Sequence, residues 1–468
     1  MADVRPFRGL RFDPQRVDLG AVVCPPYDVI SPAEQQAYHD RHPLNVIRLE
    51  LGLGAPDPRL PGNRYVRAAE TLARWRAEGI LIEEARPAFY LYEHRFMLGS
   101  QARRRRGLLV AGRLHDEAER AVLPHEDTRA GPIEDRLALL RATATNLSPL
   151  WLLYEDADRR VGEALAAGWE SPPVATAEVD GESHRLHVVD DPVLVREVVD
   201  AIATRPLYIA DGHHRYRTAQ VYRDERRRLD GAQAGGPEGG AGEAGEAGQR
   251  PEAGYEFALM LLVALDDPGL VVLPTHRLVR HPQRTPSEVR QALATWLTLT
   301  PLPSPGGDHL AAGQALEAAL RDAGETGHPI VLYEREGAWL LRTRDDVDWR
   351  GQLPPGHSSS WQELDVAVLD ALVIRGACGI RAEGEAAHAA GAADRLAYVS
   401  EAAAAVAAVR SGQADQAYLL RPTRVQQVCD VAAAGDRMPP KSTYFFPKPV
   451  TGLVLRTLDP QPPGMWGR

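Results

Sequence analysis

Between Tyr208 and Ala219 the chain reads YIADGHHRYRTA, which sets an acid, a glycine, two histidines and an arginine between an apolar run and a helical pattern. Leu207 to Ala210 has the character of a short strand, and Tyr216, Ala219 and Tyr222 recur at helical spacing. Gly212 permits the sharp bend between them. The first amides of a helix have no partner within it and face outward at the positive end of its dipole. His213, His214 and Arg215 would oppose that dipole unless an anion sat there. The Arg215 fork matches phosphate oxygens, and either histidine can donate to a phosphoryl oxygen or bind a metal. Three readings follow. Asp211 caps the helix and the basic groups are solvated; the histidines bind a metal, although neighbours on a helix point about 100° apart; or Asp211, Gly212, His213, His214 and Arg215 hold phosphate. The last suits every residue type present.

Phosphoryl transfer also needs a base near the acceptor hydroxyl and positive charge over the moving group. The blocks LPHED and PPYDV offer Glu126 and Asp28 as bases, and His214 is a further candidate for the chemistry. Asp211 could instead hold Mg²⁺, which is content with one or two carboxylates. PTHRL places His276 and Arg277 at a strand end, where they could close over an anion. PPKSTYFFPK carries Lys441, Ser442, Thr443 and Lys448 in a proline-stiffened loop able to return to the first domain's cleft. Arg48 and Arg136 are candidates for a substrate carboxylate, with Tyr27 and His125 completing the substrate set. Nucleophilic catalysis has little support: there is no GxSxG, and Cys24 sits beside Pro25-Pro26 without a histidine nearby in sequence.

The elements that must position these residues are legible in outline. Val22 and Val23 read as a strand end, and Ser31-Pro32 starts a helix through Tyr38. NVIRLEL alternates like a strand, and a helix follows with Val66, Ala69, Leu72, Ala73 and Ile80 on one face. AFYLYEHRFML and RGLLVAGRLH read as paired strands across Gly99-Ser100, with Arg103 to Arg106 on a solvated hairpin end. A helix from Pro132 through Ala144 precedes the short strand LWLLY. Residues 230–254 are Gly/Ala/Glu-rich and read as a mobile insertion, because strong strand runs resume after them. Helical segments near 286–298, 312–323, 362–375 and 395–410 flank a hairpin in PIVLYEREGAWLLRTR. The expected organisation is a domain at 1–285 and an α+β domain at 286–468 whose tail returns to the first.

At 468 residues the chain exceeds one ordinary core. Its 44% hydrophobic and 25% charged content are those of a globular protein, and a net charge of −10 argues against coating nucleic acid. Cys24, Cys378 and Cys429 form no CxxC pair, so neither a thiolate zinc site nor a disulfide framework is expected. No stretch approaches the roughly 20 apolar residues of a membrane span, and no signal-peptide pattern opens the chain. A cytoplasmic protein without membrane or nucleic-acid partners is expected, with homo-oligomerisation left open.

DGHHR after an apolar strand resembles the phosphate-gripping motif of the ParB/sulfiredoxin superfamily, which includes free-serine kinases. The whole chain resembles the prokaryotic domain-of-unknown-function family 1015, through RPFRGLRF, CPPYDVISP, NVIRLELG, LPHEDTRAGPIEDRLALLRATATNLSP, LYIADGHHRYRTA, LVVLPTHRLV and MPPKSTYFFPKPVTGLV. The resemblance implies an α/β (α+β) fold, with a ParB/sulfiredoxin-like element in an N-terminal mixed-sheet region and a more helical C-terminal region. It implies phosphorylation of free L-serine, with pyrophosphate or a nucleotide (ATP or ADP) as donor. In the related kinases a glutamate in a Pro-His-Glu setting looks like the base, which here is Glu126. A nucleotide-binding regulator or a ParB-like nuclease is the alternative.

Overall fold

A computed structural model describes residues 1–234, 252–380 and 395–458. The chain forms two compact units: Met1–Leu123, Thr128–Leu270 and Pro447–Arg468 make unit 1, and Pro124–Asp127 with Val271–Phe446 make unit 2. Among the described residues no helix is long and apolar enough to cross a membrane.

The main sheet of unit 1 has nine strands among the described residues: β1 (Val4–Arg5), β2 (Phe89–Leu98), β3 (Gln101–Arg113), β4 (Val122–Leu123), β5 (Leu150–Tyr154), β6 (Ala175–Val179), β7 (Glu182–Val189), β8 (Leu207–Asp211) and β9 (Phe257–Ala264). Their order is β4-β8-β5-β9-β3-β2-β7-β6, with β1 added on β3. The sheet is mixed: β8 runs parallel to β4 and antiparallel to β5, and β9 runs parallel to β5. Its longer helices are α1 (Pro32–Arg41), α2 (Arg64–Ala77), α3 (Ala130–Thr143), α4 (Arg160–Glu170), α5 (Pro192–Ala203) and α6 (His213–Ala234). One sheet face carries Leu91, Val110, Leu152, Ile209, Met260 and Leu262, which pack against Val161 and Leu165 of α4, Val198 and Ile202 of α5, and Tyr216 and Ala219 of α6. Alternation along the strands supplies that face, and the 3.6-residue period of the helices covers it.

Local chemistry sets the boundaries that matter for the site. Ser31 caps α1 in a reciprocal box with Glu34, as the Ser-Pro signal predicts. NVIRLEL is helical over Ile47–Glu50 instead of a strand, because the Asn45 side chain accepts from the Ile47 amide at 3.0 Å and starts a helical turn. Likewise Leu19–Val22 is a helical turn capped by Asp18, where a strand end was expected. The Gly99-Ser100 hairpin and the strand LWLLY form as read.

Unit 2 holds β10 (Val271–Leu273), β11 (His276–Val279), β12 (Leu297–Leu302), β13 (Ile330–Glu334), β14 (Gly337–Thr343), β15 (Leu396–Val399), β16 (Gln416–Leu419) and β17 (Tyr444–Phe446). Six make a sheet in the order β12-β14-β13-β16-β11-β15, and β10 pairs with β17. The helices Pro286–Leu293, His309–Asp322, Ala402–Ser411 and Val425–Ala433 accompany it. The edge between units falls after Leu270, not near 285, because β10 and β11 pair with strands far later in the chain. Of the low-complexity insertion, residues 230–234 continue α6 and Glu252 pairs with Arg5 at 2.6 Å, while 235–251 lie outside the described residues.

The tail is a strap of unit 1 from Pro447 onward. Leu455 exchanges backbone hydrogen bonds with Leu10, Thr451 does so with Cys24, and Arg456–Thr457 pairs with Thr145–Asn146. Arg456 is buried and donates to the carbonyls of Phe257 and Gly254, both at 2.9 Å. Burial pushes its pKa down to about 9.

Candidate functional site

The strand–turn–helix at Asp211 forms as the sequence predicts: β8 ends on Asp211, Gly212 turns at φ +96°, and α6 starts at His213. A side chain at 212 would be strained by that angle and would crowd Leu150 at 3.1 Å.

Around this turn four charged side chains alternate in sign. Lys448 donates to Asp28 Oδ2 at 2.7 Å and to Asp211 Oδ1, and Arg215 donates to Asp211 Oδ2 at 2.6 Å. The Arg215 guanidinium also donates to the Pro149 carbonyl at 2.6 Å. Asp28 sits in a single helical turn, Tyr27–Val29, directly after Pro25-Pro26. Two acids thus balance two bases. Enclosure by the chain raises the Asp28 pKa, but Lys448 and Arg215 outweigh it and hold the carboxyl below its ordinary value. For Lys448 burial acts downward, and the two carboxylates win, leaving it well above an ordinary lysine. Arg215 follows the same pattern, raised chiefly by Asp211 against burial.

This geometry bears on two expectations. Arg215 does not face outward: one helical turn from Asp211, it folds back on that carboxylate, so the basic first turn is neutralised by the protein itself. Asp211 has both oxygens engaged by cations, one from Arg215 and one from Lys448. His213 is buried, and His214 Nε2 accepts the Arg129 amide at 3.0 Å.

The proposed substrate groups of unit 1 are tied into the wall beside the turn. Arg136 stacks over the Tyr27 ring at 4.2 Å and donates to the Glu50 carbonyl at 2.8 Å and to Asp135 at 2.8 Å. Burial pushes the Tyr27 hydroxyl up to about 12. Glu50, Arg136 and Arg215 line a cavity of about 60 Å³. Arg48 is not directed at a ligand but donates to the His39 carbonyl at 2.8 Å. The Cys24 thiol is buried and pushed well up by that burial, which agrees with discounting it as a nucleophile.

The remaining candidates belong to unit 2. His125 is fully buried; its Nε2 lies 3.2 Å from the Thr443 hydroxyl, and its carbonyl accepts from the Met438 amide at 2.8 Å. Glu126 follows it, half-buried. Arg277 is a buried brace, not an anion clamp: it donates to the Thr275 hydroxyl at 2.7 Å, and that hydroxyl donates to the Lys441 carbonyl at 2.6 Å. His276 is a core residue whose Nδ1 accepts the Leu420 amide at 3.2 Å, and burial pushes its pKa down to about 4. Lys441 is exposed in a left-handed backbone conformation at φ +57°. Within the tail, sequence reasoning offered Lys448 only as one loop residue among several, yet it is the centre of the ion group. The partners Glu50, Asp135 and Pro149 carried no signal in the sequence.

A family described as "Protein of unknown function (DUF1015)" matches residues 4–367. No curated protein matches the chain. Among solved structures, a free serine kinase in complex with AMP is 15% identical, over 72% of this chain and 88% of that one, at a TM-score of 0.33. A mutant free serine kinase in complex with ADP is 13% identical, over 72% and 89%, at 0.33. A conserved hypothetical protein from Pyrococcus furiosus is 14% identical, over 71% and 90%, at 0.32.

Proposed function

The chain belongs to the DUF1015 family, and we propose that it is a small-molecule phosphotransferase that moves a phosphoryl group from pyrophosphate or a nucleotide to the hydroxyl of free L-serine. The observation that carries this reading is Lys448 held between Asp28 and Asp211 at the glycine turn that opens α6. A cation held between two carboxylates at a helix N-terminus can exchange one partner for a phosphoryl oxygen, and the freed carboxylate can then take a proton. The choice of serine rests on the resemblance of DGHHR to the phosphate-gripping motif of a superfamily that includes free-serine kinases.

In this mechanism the serine Oγ attacks phosphorus while its proton passes to a carboxylate. The Oγ–P bond forms, the donor's bridging P–O bond breaks, and phosphate or the shortened nucleotide leaves. Asp28 is ionised at neutral pH because Lys448 and Arg215 hold it so, and Glu126 is the competing base. Lys448 neutralises charge on the transferring group, and Arg215 keeps Asp211 in place.

The test is a donor-by-acceptor screen of the purified protein, with pyrophosphate, ATP and ADP against serine, threonine and other small hydroxyl compounds. O-Phosphoserine detected by mass spectrometry with one of these donors is expected. Turnover of no pair overturns the enzyme reading, and donor binding without turnover would favour a nucleotide-binding regulator.

A further inference from the structure

We propose that His94, Glu182 and His184 form a divalent metal site of the zinc class. The cluster lies on β2 and β7, separated in the sheet from the Asp211 strand by β5, β9 and β3. His94 and His184 are direct partners across the two antiparallel strands, so both rings project from one sheet face. Glu182, two residues before His184, shares that face. Their ligand atoms all lie within 4.8 Å of one another.

Three observations point to a ligand. The His184 Nε2 is buried and has no hydrogen-bond partner, an arrangement that folding disfavours unless something else occupies the lone pair. The opposite nitrogen, Nδ1, lies 2.8 Å from the Tyr92 hydroxyl. Donation from Nδ1 to that oxygen would fix the tautomer that leaves Nε2 free to coordinate, the usual arrangement behind a metal-bound histidine. Finally, the donor set is two imidazoles and one carboxylate, which suits Zn²⁺ and its neighbours Co²⁺ and Ni²⁺ and not the all-oxygen preference of Mg²⁺ or Ca²⁺. The Glu182 side chain is 27% exposed and gives the ion an entry path and a place for an exchangeable water.

The cluster also contains an opposing group. Arg105 donates to His94 Nδ1 at 3.1 Å, and His94 Nε2 lies 2.7 Å from Glu182 Oε2, so the metal-free ring carries its proton on Nε2. Loading moves that proton to Nδ1 and gives up the Arg105 bond, with no net proton released. The nearby guanidinium lowers the affinity, while Glu182 offsets half of the ion's charge.

Chelator-treated full-length protein titrated with Co²⁺ should bind one equivalent and show visible d–d absorption, and Zn²⁺ should displace it. His184→Gln and Glu182→Gln should each lose that equivalent, and Tyr92→Phe should weaken it by about 10–100-fold. Melting curves of the metal-free variants separate loss of ligand from loss of fold. If His184→Gln fails to fold, Glu182→Gln, at the solvent edge, carries the test. Equal Co²⁺ binding by wild type and Glu182→Gln, or no saturable binding by wild type, overturns the proposal. Neither result depends on serine phosphorylation.

Discussion

Lys448 Nζ donates to Asp28 Oδ2 at 2.7 Å although 420 positions separate them in the chain. The first of these residues arrives by way of the tail strap, and the second by a short turn after Pro25-Pro26. Asp211 closes the group from the end of β8. Three separate parts of unit 1 therefore have to be folded before this set of charges exists, which makes it a sensitive reporter of both structure and activity.

Lys448→Met should slow phosphoryl transfer sharply and also weaken the fold. Loss of an electrostatic donor at the transferring group typically lowers turnover by about 10²–10³-fold. Removing one partner of a buried pair costs about 3–5 kcal/mol, but the Asp28 side chain is 35% exposed and solvent screens its share. A loss of about 2–3 kcal/mol in urea unfolding is expected. Unchanged stability would mean that the Lys448 contacts do not persist in solution.

Acid should dissolve the contribution of Asp28 to stability. Its folded pKa lies below the unfolded carboxylate value of about 3.9, so its contribution is full above about pH 5 and disappears as pH falls through the folded value. Lys448 has the opposite sign: its pKa is raised, and its contribution is full below about 10.4 and lost only in stronger base. The stability difference between wild type and Asp28→Asn should therefore be flat from pH 5 to 9 and shrink below about pH 4. A difference that grew on acidification would contradict the ion-pair assignment.

Much of this site was legible because its signals are local. Leu207–Ala210 is an apolar run, Gly212 a breaker and Tyr216, Ala219 and Tyr222 a helical face, and the structure has that strand, turn and helix. The orientation of Arg215 was also available in principle, since Asp211 lies four residues before it and can neutralise it. Alternation misled at NVIRLEL, where one asparagine side chain decides the backbone. The place of Lys448 was not legible: it follows from Leu455 meeting Leu10 and Thr451 meeting Cys24, contacts that no spacing in the sequence encodes.

Arg215→Ala should lose stability together with turnover. The guanidinium is 12% exposed and joins Asp211 to the Pro149 carbonyl, so its removal leaves both acceptors short of a donor. The expected cost is about 3 kcal/mol. Lys441→Gln changes an exposed residue of unit 2 and should stay within about 0.5 kcal/mol of wild type. Thermal and urea unfolding of the two variants in parallel checks the contrast, and an Arg215→Ala protein as stable as wild type would return that side chain to the anion-facing role.

Asp28 and Glu126 can be distinguished as bases by variants that keep shape and remove the proton acceptor. Loss of a general base lowers turnover by about 10²–10⁴-fold. Asp28 is held ionised by Lys448 and Arg215, which makes it available at neutral pH and a weak base until the acceptor hydroxyl is already giving up its proton. That behaviour suits phosphoryl transfer through a loose transition state, where the proton moves late. Asp28→Asn is therefore expected to cost at least about 10²-fold in O-phosphoserine formation, and Glu126→Gln to cost less. Asp28→Asn also loses a charge partner of Lys448, so Asp28→Glu serves as the control: it restores the carboxylate and should recover part of the turnover. Inactive Glu126→Gln beside an active Asp28→Asn would assign the base to Glu126, and full activity in both would remove both carboxylates from the mechanism.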